Sequence, residues 1–229
     1  DKGSSASATS VTTAGITTTS GHWLAAVVAV GSGPKTVSSL TDSKGNTWTA
    51  AASNPQTPNG QFNVYVYYAE NITGGAAHTV TANFSGAGLC AISVIELSGR
   101  ALTSSVIAQV AILETVGTQA HASEVTGTLS EGGSDVVCFV ADNAQSQAES
   151  TETYAATSTG WVLPAASNVN TGATTATSFI MYRENVNTVS QQATWTNDSG
   201  NLVAASVVLA VKAAAGGGSS LLKKMRRYM

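Results

Sequence analysis

Slid against itself by 113 or 114 residues, the chain meets its own pattern in the same order along most of its length. Trp48 falls on Trp161, Ala51-Ala52-Ser53 on Ala165-Ala166-Ser167, Tyr68-Ala69-Glu70-Asn71-Ile72 on Tyr182-Arg183-Glu184-Asn185-Val186, and Ser85-Gly86 on Ser199-Gly200. Further on, Ala91-Ile92-Ser93-Val94-Ile95 meets Ala204-Ala205-Ser206-Val207-Val208, and upstream the run Trp23 to Val30 corresponds to Asp135 to Ala141. Self-similarity of this kind means that one supersecondary plan serves twice. It divides the chain into a first unit, 1–99, a connecting segment, 100–121, a second and related unit, 122–212, and a terminal stretch, 213–229.

The plan is a β plan. Short runs rich in Val, Ile, Thr and Tyr recur between Gly, Asn, Asp and Ser clusters, and helical spacing is nearly absent. In Phe62–Tyr68 the residues Phe62, Val64, Val66 and Tyr68 share one face at the strand period of two. In His78–Phe84, Val80, Ala82 and Phe84 point inward while Thr79, Thr81 and Asn83 point out. Both read as half-buried antiparallel strands. Cys90–Leu97 and Val203–Val211 are instead almost continuously apolar, which predicts strands covered on both faces. The expected fold class is therefore all-β, an antiparallel β-sandwich, either jelly-roll-like with one shared core or two Ig-like units.

Composition narrows what such a fold can do. Only 10% of residues are charged, so solubility rests on neutral hydroxyls and amides, and no apolar run is long enough for a membrane-spanning helix. The charge is also uneven. Lys223, Lys224, Arg226 and Arg227 lie in the tail and every acid lies at or before Asp198, leaving six bases against thirteen acids in the body. A body at −7 repels phosphate backbones, so it is not expected to bind nucleic acid.

The stretch after Lys212 begins as a flexible linker, Ala213 to Ser220. It ends in Leu221-Leu222-Lys223-Lys224-Met225-Arg226-Arg227-Tyr228-Met229, where Leu221, Leu222, Met225 and Met229 form an apolar stripe at helical spacing beside the four cations. Nine residues are too few to hold a helix alone, so this segment needs a partner to fold. Leu221, Leu222, Lys223, Lys224, Met225, Arg226, Arg227 and Met229 are the candidate partner-binding residues.

Reaction chemistry is hard to find. His22, His78 and His121 show no metal-ligand spacing, and no nucleophile elbow, phosphate loop or dinucleotide motif occurs, so no catalytic residue, metal or cofactor is expected. Glu70 and Glu184 recur at matched positions, which raises a glycosidase-like carboxylate pair, but each precedes an Asn at a strand end where acids satisfy turn amides. Asp42 and Asn46 read as an Asx turn before they read as calcium ligands. Cys90 and Cys138 are either a disulfide or two buried thiols. Among the aromatics, Trp48 and Trp161 read as packing, and Trp23, Tyr67 and Trp195 are the candidate sugar-contacting residues.

Asp42-Ser43-Lys44-Gly45-Asn46-Thr47-Trp48-Thr49, Tyr67 to Gly75, Thr79 to Gly86 and Glu96-Leu97-Ser98-Gly99 together carry a family likeness. Over 36–99, and more weakly over 122–212, the chain resembles a β-sandwich module of bacterial surface or secreted proteins and of tailed-phage structural proteins. The resemblance implies an antiparallel sandwich with a display or binding role and brings no catalytic residue. The expectation is a non-enzymatic virion protein, a phage capsid decoration or tail-surface protein, assembled with other structural subunits as a homo-oligomer or lattice. The alternative is a module that binds cell-surface glycan, so that the protein sits on a virion surface or outside the cell.

Overall fold

A computed structural model of the chain describes residues 8–31, 35–52, 54–57, 62–115, 120–144, 154–163, 175–197 and 202–215. The fold is all-β and every strand pairing in it is antiparallel. In the first half an inner sheet runs in the order β5 (Thr49–Ala50), β6 (Phe62–Ala69), β3 (Trp23–Gly31), β9 (Cys90–Leu97). An outer sheet, β1 (Ala8–Thr12), β8 (Val80–Gly88), β4 (Val37–Asp42), covers it, and β2 (Ile16–Thr18) pairs with β7 (Gly75–His78) beside it. In the second half the inner sheet is β10 (Val106–Thr115), β16 (Leu202–Val211), β12 (Ser134–Ala144), β14 (Thr175–Val186), and the outer one β11 (Ala120–Ala122), β15 (Thr194–Asn197), β13 (Tyr154–Ala156).

The side chains show how these sheets stack. One core is built from both inner sheets: Trp23, Ala25, Val27, Phe62, Val64 and Ile95 meet Val137, Phe139, Ile180, Val207 and Leu209. A second core, with Leu24, Val28, Val80 and Phe84, lies within the first half, and a third, with Val136, Val140, Phe179 and Trp195, within the second. The molecule is thus two sandwiches packed back to back through their inner sheets. Among the described residues no sheet mixes strands from the two halves, so they show no jelly-roll interleaving, while a shared central core is present.

This layering explains the continuous apolar runs. Along β3, Trp23, Ala25, Val27 and Ala29 face the shared core, and Leu24, Ala26, Val28 and Val30 face the first half's own core. A strand with apolar material on both faces cannot alternate with polar residues, because each buried polar side chain would need a partner. Fully burying a Val, Leu or Ile is worth roughly 1.5–3 kcal/mol, so these runs are the main driving force for docking the halves. Strand β8 keeps the alternation, with Val80, Ala82 and Phe84 inward, because one of its faces meets solvent. Strand β6 departs from the half-buried expectation. Its Phe62, Val64 and Val66 share a face as the period of two predicts, but Tyr65 and Tyr67 on the other face are covered by the outer sheet.

Some of the matched segments have like surroundings, while Ala165-Ala166-Ser167 and Ser199-Gly200 lie outside the described residues. The order β6-β3-β9 recurs as β14-β12-β16, and Asn71 and Asn185 both turn the chain at positive φ, 49° and 47°. Gly21 N–H donates to Ile72 O at 2.9 Å, and Gly133 N–H to Val186 O at 2.9 Å. The sequence alignment is out of register along β9 and β16. Ile92 pairs across from Val28 and Ser206 across from Val140, so Ser206 stands where Ile92 stands and not where Ser93 does. A slip of one residue moves a side chain to the other face of a strand. Ser93 accordingly faces the junction of the halves, its Oγ 2.8 Å from Ser178 Oγ on β14, whereas Ser206 sits behind β16. The segment 100–121 connects the units through a strand of its own, since β10 lies within it.

Candidate functional site

The most elaborate polar constellation lies under the turn Asp42–Asn46. Asp42 ends β4, and its Oδ1 accepts from Lys44 N at 2.7 Å, Asn46 N at 3.3 Å and Asn46 Nδ2 at 3.2 Å. Its Oδ2 accepts from the Trp48 indole at 2.7 Å. Gly45, at φ 74°, allows the chain to turn this tightly around one carboxylate. With both oxygens taken by N–H donors, Asp42 and Asn46 form the turn and present no oxygen cage to a cation. Among the described residues no group of His, Cys, Asp and Glu gathers as metal ligands do.

Behind the carboxylate lies His78. Its Nδ1 is 2.7 Å from Thr18 Oγ1, and its Nε2 lies 3.2 Å from Asp42 Oδ1 without a well-aligned hydrogen bond. The sequence hydroxyl, imidazole, carboxylate is that of a nucleophile and its base. Here Thr18 and His78 are both buried, so no substrate carbon can approach the hydroxyl. The arrangement is a polar clamp that fastens β2 and β7 to the turn. Burial pushes the Asp42 carboxyl up, but the Lys44 amide, the Trp48 indole, the Asn46 amide and the neighbouring His78 outweigh it, and the net pKa falls below the ordinary carboxylate value. In the second half Ser158 takes the place of Asp42, since Trp161 N donates to Ser158 O at 3.3 Å as Gly45 N does to Asp42 O, and the buried Trp161 indole is left without an acceptor.

The remaining candidate acids are also engaged. Glu70 Oε1 accepts from Ser105 N at 2.6 Å and Ser105 Oγ at 2.5 Å, and its Oε2 from Ser104 N at 3.1 Å, which closes the turn after Gly99. Its partner by sequence, Glu184, is half-buried on β14. Glu96, buried in β9, accepts from Thr19 N at 2.8 Å and meets His22 Nδ1 at 2.7 Å.

Of the three candidate sugar-contacting aromatics, two are corrected by burial. Trp23 and Trp195 are each 1% exposed, Trp23 in the shared core and Trp195 stacked on His121 at 5.5 Å, so neither offers a ring to a pyranose. Trp195 is misplaced by setting it against the outward Thr81: Ser123 bonds Ala193 through its N–H and Oγ as Thr13 bonds Val80, so Trp195 stands where the inward Ala82 stands, its ring against the edge of Phe179. Tyr67 is half-buried at the margin of the first half's core, beside Tyr65 at 6.3 Å, and burial and then Tyr65 push its phenol up to about 12. Trp161 is buried and Trp48 half-buried, as packing residues are. Cys90 and Cys138 are free thiols in two separate cores, and burial raises both, Cys90 to about 11.

An open cleft of about 540 Å³ lies at the foot of the junction, lined by Ala101, Leu102, Thr103, Glu131, Lys212 and Ala213–Ala215. Its walls are laced together: Ala101 N donates to Lys212 O at 3.1 Å, Lys212 N to Ser105 O at 2.8 Å, and Ala214 N to Gly99 O at 2.9 Å. Arg100 supports them from below, its Nε on Ser98 O at 3.0 Å and its Nη1 3.6 Å from the buried Asp135 carboxylate. Leu102, 49% exposed, stands at the rim. The candidate partner-binding residues Leu221, Leu222, Lys223, Lys224, Met225, Arg226, Arg227 and Met229 lie outside the described residues.

Sequence reading passed over Thr18, Glu96, Arg100 and Asp135. A lone charge inside an otherwise apolar run was the available signal for Glu96 and Asp135, since such a residue must bring a partner inside with it. Thr18 had no signal in a chain this rich in threonine.

No family model matches the chain, and no curated protein matches it. Among solved structures, the C-terminal domain of the AgI/II polypeptide BspA of Streptococcus agalactiae is similar at 12% identity, covering 84% of this chain and 76% of that one, with a TM-score of 0.19. A second BspA structure gives 0.20 at the same identity and coverage. Similarity that low carries no argument about fold or role.

Proposed function

We propose that the chain is a non-enzymatic structural block displayed on the outside of a virion, a phage capsid decoration or tail-surface protein. The observation that supports this reading is where the polar chemistry goes. Asp42, Glu70 and Glu96 each spend their oxygens on turn amides and neighbouring side chains, and none of the three lines the cleft at the junction. A fold that uses its carboxylates as fasteners is built for rigidity.

Attachment belongs to the terminal stretch, which leaves the body from a fixed point, because Ala214 is hydrogen-bonded to Gly99 at the cleft. On a lattice of neighbouring subunits, burying Leu221, Leu222, Met225 and Met229 adds roughly 1.5–3 kcal/mol each before ordering costs, and repeated copies add avidity. The four cations direct the segment to an acidic site. The glycan-binding alternative loses the Trp23 and Trp195 platforms and keeps only a half-buried Tyr67.

The test is quantitative mass spectrometry of particles purified from cells that make this protein, with full-length chain and a chain ending at Ala215. Ending there keeps the bonds that Lys212 and Ala214 make to the body. The full chain is expected at a fixed ratio to the major shell protein, and the shortened chain is expected folded but absent from particles. Equal occupancy by both chains, or full-length chain found only in the medium, overturns the proposal.

A further inference from the structure

The terminal stretch leaves the body from a pinned position. Ala213 bridges to Arg100, Ala214 N donates to Gly99 O at 2.9 Å, and Ala215, the last described residue, lines the cleft at the foot of the junction. The five residues Gly216 to Ser220 separate it from Leu221 and Leu222. Their composition sets the reach: a Gly/Ser chain of this length spans about 12 Å on average and about 20 Å when fully drawn out. Leu221 and Leu222 are therefore confined to the neighbourhood of the cleft, whatever else surrounds the molecule. Five residues is also an ordinary length for a connection that reverses the chain, which brings Leu221 back beside Ala215.

Within that reach lies one apolar opening. The large apolar residues exposed among the described ones are Leu102, Val125, Val162 and Val189, and of these Leu102 alone lines the cleft, at 49% exposure. Around it stand the methyl groups of Ala101 and Ala213–Ala215. The cleft volume of about 540 Å³ falls inside the range of roughly 300–1,000 Å³ that encloses a small ligand, so it has room for a few side chains. The charges agree with an occupant that is apolar first and cationic next. Glu131, the one acid of the lining, has a side chain 51% exposed and 3.8 Å from Lys212, a loose pairing that leaves it open to Lys223 and Lys224, which follow the leucines directly.

We propose that the terminal segment of this same chain occupies the cleft, with Leu221 and Leu222 against Leu102 and Lys223 or Lys224 on Glu131. The tether supplies most of the affinity. Through so short a linker the effective concentration is about millimolar, so a contact too weak to hold a free peptide holds a tethered one. Under the particle reading, a neighbouring subunit that takes the same segment must first displace it, and the cleft competes with attachment. The inference does not need that reading, because docking within one chain is measured on the purified protein.

Trypsin reads the docking, since the segment carries Lys223, Lys224, Arg226 and Arg227. The full-length protein, its Leu102→Ser variant, and a chain whose linker is lengthened about fivefold with Gly and Ser are digested at low enzyme, and loss of the segment is timed by mass spectrometry. Cleavage follows the undocked population, so it is expected to be about tenfold slower in the full-length protein than in Leu102→Ser. Effective concentration falls roughly as the −3/2 power of linker length, about tenfold here, so the lengthened chain is expected to be cut within about twofold of the Leu102→Ser rate. Leu102 is exposed, so its replacement is expected to leave the thermal melt unchanged, and if the melt shifts the lengthened chain alone decides. Equal rates in the full-length and lengthened chains overturn the proposal. So does protection that grows with protein concentration, which would place the segment in the cleft of another copy.

Discussion

Replacing Asp42 by Asn keeps the size of the side chain while removing its charge and half of its accepting capacity. The carboxylate serves two sets of donors, the Lys44 and Asn46 N–H groups at Oδ1 and the Trp48 indole at Oδ2. An amide has one oxygen, so its NH2 must face either the indole N–H or the turn amides, donor against donor. Hydrogen bonds to a charged acceptor contribute about 1.5–3 kcal/mol and an unsatisfied buried donor costs about 1–3 kcal/mol. These overlap rather than add, so the expected loss at neutral pH is about 2–3 kcal/mol. With a urea dependence of about 2–3 kcal/mol per molar, the unfolding midpoint falls by about 1 M. The loss must also depend on pH in one direction. The folded Asp42 pKa lies below its unfolded value near about 3.9, so its stabilisation is complete above that value and disappears as pH falls through the folded pKa. Asn does not titrate. The gap between the two proteins is therefore expected to be flat from about pH 8 to about pH 5 and to narrow below about pH 4. Urea melts followed by tryptophan fluorescence across that range measure it. A gap of the same size at about pH 3 as at neutral pH, or no gap at neutral pH, would refute the assignment of Asp42 as the charged fastener of this turn.

Gly74→Ala is expected to destabilise by about 2–4 kcal/mol, because a Cβ there would lie 2.4 Å from Thr19 C and 2.5 Å from Ser20 N, whereas Gly132→Ala, with nothing within 4 Å, is expected to stay within about 0.5 kcal/mol; parallel thermal melts compare them. Ser206→Ala is expected to be neutral or stabilising by up to about 1 kcal/mol, since the buried Ser206 hydroxyl has no hydrogen-bond partner, and a loss above about 1 kcal/mol in chemical denaturation would show that it has one. Cys90 and Cys138 are expected to resist a thiol reagent in the native protein and to react together on unfolding, with no change in electrophoretic mobility on reduction; rapid native labelling of either would contradict the burial that raises both thiols.

What the sequence makes legible here is whatever periodicity can carry. Val80, Ala82 and Phe84 alternate because β8 has one wet face, and Cys90–Leu97 does not alternate because β9 has none; both follow from reading which faces are apolar. Periodicity says nothing about which sheet lies across from which. Two Ig-like sandwiches and one shared core stood as alternatives for that reason, and the structure contains elements of both, since Phe139 and Val27 share a core that Phe179 and Val80 do not. Trp195 is misread because the alignment is one residue out of register there: it sets Trp195 against the outward Thr81, whereas the backbone bonds set it with Ala82, which faces the core.

The features that set this molecule apart are the ones that break the repeat. Asp42 has Ser158 as its counterpart, so one half fastens its turn through a carboxylate and the other through a hydroxyl, with Ser158 Oγ accepting from Thr194 N at 2.9 Å. Arg100 and Asp135 meet only because the connector folds back under the second half. Strand β10 completes one inner sheet and has no described counterpart in the other. A comparison of the chain with itself averages such differences away, since it rewards what the halves share. If both halves carry the same rigid sandwich, the shared residues account for the rigidity. Whatever distinguishes one end of the molecule from the other in an assembly must then come from the unshared ones, and among the described residues β10 is the longest of these.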